Sequence, residues 1–157
     1  MNDLELQNAK NIALNYLSYK SRTQKEVEKK LLDKKISKEV IEKVIDFLLK
    51  YNYLNDEEFV EEVIKHSKKS KRVIYQKLLE KGVSKELIEE KLKEISDEDE
   101  EEKAFMLSKK KLVQLKNIEN IKKKKKINDF LLRKGFSYNI INRVLIKLFK
   151  GEVENDI

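Results

Sequence analysis

The sequence predicts an all-α protein made of three tandem three-helix repeats stacked into an elongated, curved array. Three observations predict it. Proline is absent and the three glycines, Gly82, Gly135 and Gly151, lie far apart, so little interrupts a helix. Leu, Ile, Val and Phe supply 51 of the 157 residues, enough for a core although 41% of the chain is charged. Finally, one eleven-residue pattern occurs three times: Leu31–Ile41 (LLDKKISKEVI), Leu78–Ile88 (LLEKGVSKELI) and Leu131–Ile141 (LLRKGFSYNII). The Leu pair, a Lys, a Ser and the final Ile are identical in all three, at offsets of 47 and 53 residues, and a recurrence of this length marks a repeat architecture.

Each element follows from its apolar spacing and its caps. The first helix of repeat one carries Ile12, Ala13, Tyr16 and Leu17. Thr23 with Glu26 has capping-box spacing and opens the second helix, which holds Val27 and ends near Leu31-Leu32. Ser37 caps a third helix whose stripe is Ile41, Val44, Ile45 and Leu48. Repeat two begins at Asn55 with Glu58, again a capping box, and continues through Phe59, Val60, Val63 and Ile64. Ile74 and Leu78-Leu79 follow. Gly82 supplies a left-handed turn, and the next stripe is Ile88, Leu92 and Ile95, with the stem of Lys91 completing it. In repeat three an acidic linker, Asp97 to Glu102, leads into a first helix from about Glu101 to Leu115. A longer connector follows. Lys122–Lys126 open the middle helix with Ile127 behind them, Gly135 turns the chain, and Ser137 caps a last helix bearing Ile141, Val144, Leu145 and Leu148. The expected domains are 1–55, 56–96 and 97–157, the last with a short tail, and their helical parts lie near 9–55, 56–96 and 97–150. Three helices in about 45 residues bury too little alone, so each repeat leans on its neighbour.

Composition then excludes several kinds of chemistry. There is no cysteine and a single histidine, His66, so disulfides, thiol nucleophiles and His-rich metal sites are out. The scattered glycines cannot form a phosphate loop. Asp97–Glu102 offers acid without the mixed, convergent ligands a metal site needs. His66 reads as a surface filler. No base, nucleophile or oxyanion site emerges. The expectation is therefore a binding protein and not an enzyme, with no cofactor and no metal. No apolar run reaches the roughly 18 residues that span a bilayer, and Met1-Asn2-Asp3 does not begin a signal peptide. A soluble, cytoplasmic monomer is expected.

The net charge is +7, and its distribution points to the binding surfaces. Residues 1–50 sum to +3, residues 51–100 to −4 and residues 101–157 to +8. Lysine supplies 32 of the 36 basic residues, a bias that A+T-rich coding alone would favour, so lysine runs are weighed against that background. Lys20, Arg22 and Lys25 surround the first inter-helix turn of repeat one. Lys68, Lys69, Lys71 and Arg72 occupy the aligned turn of repeat two, with Lys65 nearby. Lys122, Lys123, Lys124, Lys125 and Lys126 form a run at a helix start, where they oppose the helix dipole. With Arg133 and Arg143, these are the candidate contacts to phosphates or an acidic protein face.

A short glycine turn between helices also resembles a helix-turn-helix, which makes a DNA-binding protein or repressor the alternative reading. Against it, the exposed positions of the would-be recognition helices include Glu39, Glu42 and Asp46 in repeat one, and Glu86, Glu89, Glu90 and Glu94 in repeat two, which repel phosphate. Only repeat three, with Tyr138, Asn139, Asn142, Arg143 and Lys147, has suitable chemistry. A generic helical adaptor is the third reading.

Three stretches resemble the RecX family, regulators of the RecA recombinase. Tyr51-Asn52-Tyr53-Leu54-Asn55-Asp56-Glu57-Glu58-Phe59-Val60 is similar to the family's G-Y-L-D-D-x-x-F-A signature. Lys81-Gly82-Val83 is similar to its K-G-I turn. Phe130 to Tyr138 is similar to F-L-x-R-R-G-F-S-Y, and the acidic run leading into Ala104 and Lys109-Lys110-Lys111 fits as well. The likeness spans about residues 9 to 149. Asn52, Asn55, Val60 and Lys35 depart from the family's Gly, Asp, Ala and turn Gly; Asn caps a helix as well as Asp does. The resemblance implies a protein that binds RecA or the RecA filament on single-stranded DNA, in its helical groove, and mostly inhibits ATP hydrolysis, strand exchange and co-protease action. For some members it also implies direct DNA binding.

Overall fold

The computed structural model describes residues 3–150. The described residues form nine helices and no strand: α1 (Asp3–Tyr19), α2 (Gln24–Asp33), α3 (Lys38–Lys50), α4 (Asp56–His66), α5 (Lys71–Glu80), α6 (Lys85–Leu92), α7 (Asp97–Gln114), α8 (Asn120–Arg133) and α9 (Tyr138–Leu148). They fall into three consecutive triples, as the repeat pattern requires. Gly151 and the expected tail lie outside the described residues.

The helix starts are the ones the caps specify. Thr23 accepts from the Glu26 amide while the Glu26 carboxylate accepts from the Thr23 amide, a complete capping box on α2. Ser37 and Ser137 cap α3 and α9 through the amides of Val40 and Ile140. Ser84 accepts from the Leu87 amide at the start of α6, and Asn55 from the Glu58 amide at the start of α4. The acidic run corrects the expectation of a linker. Ser96 forms a capping box with Asp99, so Asp97, Glu98, Asp99 and Glu100 make up the first turn of α7. Four carboxylates there oppose the positive end of the helix dipole, which favours helix over linker. By contrast, the N-cap residue of α8 is Glu119, which makes no side-chain cap, and the helix starts two residues before the lysine run.

Two apolar clusters hold the chain. One packs Ala9 and Ala13 of α1 against Val27 and Leu31 of α2, Val40, Ile41, Val44, Ile45 and Leu48 of α3, and Leu54. The other packs Ala104, Leu115, Ile127, Leu131, Phe136, Ile140, Ile141 and Val144. Positions aligned by the repeat, Val27, Ile74 and Ile127, or Leu31, Leu78 and Leu131, are all buried. The closest helix–helix packing among the described residues lies within the first triple and within the third; no pair in α4–α6 packs as closely.

The chain forms two compact units. One comprises the chain up to Lys65 together with Lys77–Glu89, and the other comprises His66–Gln76 together with the chain from Glu90 onward. The divisions fall at the end of α4 and inside α5 and α6, so the middle triple is shared between the units. Inside each unit, the turn before a second helix is seated on the glycine turn of the following repeat. In the first unit the Thr23 hydroxyl donates to the Lys81 carbonyl at 2.6 Å, and a Cβ on Gly82 would stand 2.4 Å from Lys25 Cβ. In the second unit the Ser70 amide donates to the Lys134 carbonyl at 2.9 Å, and a Cβ on Gly135 would meet Val73 at 2.4 Å and the Ser70 hydroxyl at 2.6 Å. Thr23 and Ser70 are themselves buried. The glycines are thus fixed twice, by left-handed φ values of +85° and +91° and by the absence of room for a side chain. Lys35, at the aligned turn of repeat one, has φ +62° and is exposed.

This predicts an asymmetry between aligned positions. Gly135→Ala combines a strained backbone with overpacking and should lower unfolding free energy by roughly 2–4 kcal/mol. Lys35→Gly should leave it unchanged or raise it by up to about 1 kcal/mol. Urea denaturation of the two variants measures both.

Candidate functional site

The second compact unit collects positive charge at one place. The α4–α5 turn is tied down by its backbone: beside the Ser70–Lys134 bond, the Lys71 amide donates to Glu100 at 3.1 Å and Lys103 Nζ donates to the Lys69 carbonyl at 2.5 Å. Lys71 Nζ reaches the Ile95 carbonyl at 2.6 Å. These bonds hold the exposed Lys68 and Lys69 beside the end of α8, where Arg133 and Lys134 stand, and beside Lys111 of α7. The Lys134 ammonium is pushed below the usual lysine range, first by burial and then by the positive fields of Lys69, Lys68, Arg133 and Lys111. Every charge that shifts it has its own sign. Phe130 lies beneath the group, with Lys134 Nζ 4.9 Å and Lys111 Nζ 5.6 Å from its ring centre, so the cations rest on an aromatic face.

The aligned lysine of repeat two shows what is different here. Lys81 pairs with Glu26 at 3.6 Å. The residue aligned with Glu26 in the next repeat is Val73, which leaves Lys134 without that carboxylate. The same backbone seat therefore carries a neutralised lysine in one unit and a concentrated positive patch in the other.

The other candidate residues are placed as follows. Helical geometry sets Lys122, Lys126 and Arg133 in one row on α8, about 16 Å long at 1.5 Å per residue, so the lysine run and the cluster share a face of one helix. Lys122, Lys125 and Lys126 are exposed, Lys123 is half-buried, and Lys124 lies 5.4 Å from the Phe149 ring centre. Arg143 faces Glu101 at 3.8 Å and Lys147 holds the same carboxylate at 2.5 Å, so this pair is engaged within the fold. Lys71 is likewise engaged, while Arg72 is exposed. In the first unit Lys20 is exposed, the Lys25 stem lies against Gly82, and the Arg22 guanidinium stacks on Tyr16 at 4.0 Å with its Nε buried. The structure thus brings together Lys68, Lys69 and Arg133 of the sequence candidates and adds Lys111 and Lys134. Lys134 has no distinguishing signal of its own, since a lysine stands at that position in all three repeats. The usable signal was the loss of the Glu26 counterpart.

Among the described residues no group of three or more His, Asp or Glu side chains is placed to hold a metal ion, and no helix is long and apolar enough to cross a membrane.

Comparison with known proteins is decisive at the level of family. Residues 9–48 match the first three-helix domain of RecX, residues 55–92 the second and residues 97–145 the third. The chain belongs to the RecX family. It is 38% identical over 147 residues to the regulatory protein RecX of Clostridium perfringens strain 13, covering 91% of this chain and 69% of that protein. Against the RecX of Clostridioides difficile it is 38% identical over 153 residues, covering 95% and 71%. The crystal structure of RecX from Lactobacillus salivarius superposes with a TM-score of 0.72 at 34% identity, covering 92% of this chain and 96% of that one. A second RecX crystal structure gives a TM-score of 0.67 at 26% identity, covering 89% and 71%. Named regulatory proteins thus match nearly the whole chain, and RecX is a family of regulators.

The repulsion around Lys134 has a measurable sign. Lys134→Met removes a half-buried charge from four like neighbours and should raise the melting temperature. The gain should be largest at 10 mM salt and shrink toward 1 M, as the screening length falls from about 30 Å to about 3 Å. A gain independent of salt would mean that burial alone acts on this group.

Proposed function

We propose that this chain regulates the RecA recombinase by binding RecA, or its filament on single-stranded DNA, and mostly inhibiting its ATPase, recombinase and co-protease activities. The observation that carries this reading is the ordered succession of three RecX modules along the chain. The Lys68, Lys69, Lys111, Arg133 and Lys134 patch, continued along α8 by the lysine run, supplies the face toward phosphate or an acidic protein surface. Neutralising phosphate charge releases counterions, so a patch of this kind gives affinity that falls steeply with salt. The acidic middle of the chain would face protein, and the basic ends DNA or acidic protein patches. The protein would act in the cytoplasm as a monomer.

The helix-turn-helix alternative is disfavoured by placement. Glu39, Glu42 and Asp46 on α3, and Glu86, Glu89 and Glu90 on α6, are exposed where a groove-reading helix would meet phosphates. On α9, Tyr138, Asn139 and Asn142 are exposed, but Arg143 faces Glu101.

The test is DNA-dependent ATP hydrolysis by the cognate RecA, titrated with this protein. Inhibition well below one copy per RecA would indicate an effect propagated from filament ends, and inhibition near saturation would indicate occupancy of the groove. No effect at any ratio, in salt where filaments are stable, overturns the reading. Replacing Lys68, Lys69 and Lys134 by Glu, or Lys122–Lys126 by Glu, should weaken filament binding at least tenfold and flatten its salt dependence; unchanged binding removes that segment from the contact surface.

A further inference from the structure

The first compact unit carries a surface of the opposite character. A groove of about 350 Å³ runs between α2 and α3, lined by Gln24, Glu28 and Leu32 on one side and by Lys38, Ile41, Glu42, Ile45, Asp46 and Leu49 on the other. Its floor is apolar: Ile41 and Ile45 are buried, while Leu32 and Leu49 remain 50% and 45% exposed. Its rim is acidic, with three carboxylates, Glu28, Glu42 and Asp46, against the single cation Lys38. Glu28 takes a hydrogen bond from the Gln24 side-chain amide at 3.0 Å. The surrounding field is negative as well. Asp56 has its pKa raised first by burial, opposed by the hydrogen bond its carboxylate accepts from the Gln24 amide at 2.9 Å, and further raised by Glu28 and Glu26.

The repeat provides an internal control. In repeat three the residues aligned with Glu28, Glu42 and Asp46 are Asn128, Asn142 and Ile146, and in repeat two they are Tyr75, Glu89 and Lys93. An acidic rim is therefore no general requirement of this helix hairpin. It belongs to repeat one, in a chain whose net charge is +7. From Gln24 to Leu32 the groove extends about 12 Å, two turns of a helix laid along it.

We infer that the α2–α3 groove docks a short basic amphipathic helix of a partner protein, with apolar side chains on Ile41, Ile45, Leu32 and Leu49 and flanking Lys or Arg side chains on Glu28, Glu42 and Asp46. Helix-in-groove recognition reads anchors at i, i+3 or i+4 and i+7, which fits the available length. The rim charges set orientation and reject acidic segments. This function is separate from the basic patch and goes beyond the regulation proposed above.

The probe is a synthetic 14-residue leucine–lysine peptide with leucines at helical spacing, titrated into the full chain while backbone amide resonances are followed. Shifts concentrated in residues 24–49 are expected. Glu42→Lys with Asp46→Lys should weaken binding at least tenfold while leaving the melting temperature and RecA ATPase inhibition unchanged, since both side chains are exposed. A peptide of the same composition with scrambled leucine positions should bind at least tenfold more weakly. Equal binding of the scrambled peptide, equal shifts on the acidic faces of α4 and α6, or an undiminished response in the double variant each overturns the proposal. So does concentration-dependent shifting of residues 24–49 without peptide, which would make the occupant a second copy of this chain. Loss of ATPase inhibition in the double variant would instead place the groove within the RecA contact and overturn its independence.

Discussion

The constraint on which the structure most depends is the seating of one turn on another. Thr23 on the Lys81 carbonyl and Ser70 on the Lys134 carbonyl repeat a single contact, made in the second instance by backbone alone. Both need a glycine beneath them, because the incoming turn occupies the volume of a Cβ. Neither three-helix module has to bury its own surface completely when its turn is buried in its neighbour. The middle triple takes this furthest. Its helices pack weakly on each other, and its parts belong to two different compact units.

Much of this was legible in the sequence because it is periodic. The Leu pair and the capping Ser recur three times and the turn glycine twice, each fixing a helix end, and their chemistry is local. The acidic run was misread because charge density alone resembles a linker; Ser96 and Asp99, three residues apart, held the information that it starts a helix. The basic site was only half legible. Lys68, Lys69 and Arg133 are conspicuous, but their convergence depends on hydrogen bonds across more than 30 residues, such as Lys103 to the Lys69 carbonyl. No local pattern encodes those. Arg143 looked available for a ligand, yet Glu101 takes it, a pairing set by the packing of α7 on α9.

Charge is organised by the same repeat. A lysine precedes each turn glycine or its counterpart, and the carbonyls of Lys81 and Lys134 serve as seats. What varies is whether a carboxylate comes with the incoming turn. Glu26 does so for Lys81, whereas Val73 cannot for Lys134. One substitution within a conserved frame separates an internal ion pair from an open cationic surface. The acidic rim on α2–α3 follows the same logic with the sign reversed, since Glu28, Glu42 and Asp46 occupy positions where repeat three carries neutral residues.

Lys35 shows where this frame stops. Its backbone takes the left-handed conformation of Gly82 and Gly135, but it carries an exposed side chain, whereas each of those two lies against a neighbouring turn. The first helix hairpin makes the same bend with a lysine, and its turn stays exposed. One bend thus serves two ends: at Gly82 and Gly135 it receives a neighbouring turn, and at Lys35 it only reverses the chain and leaves a charged side chain in solvent.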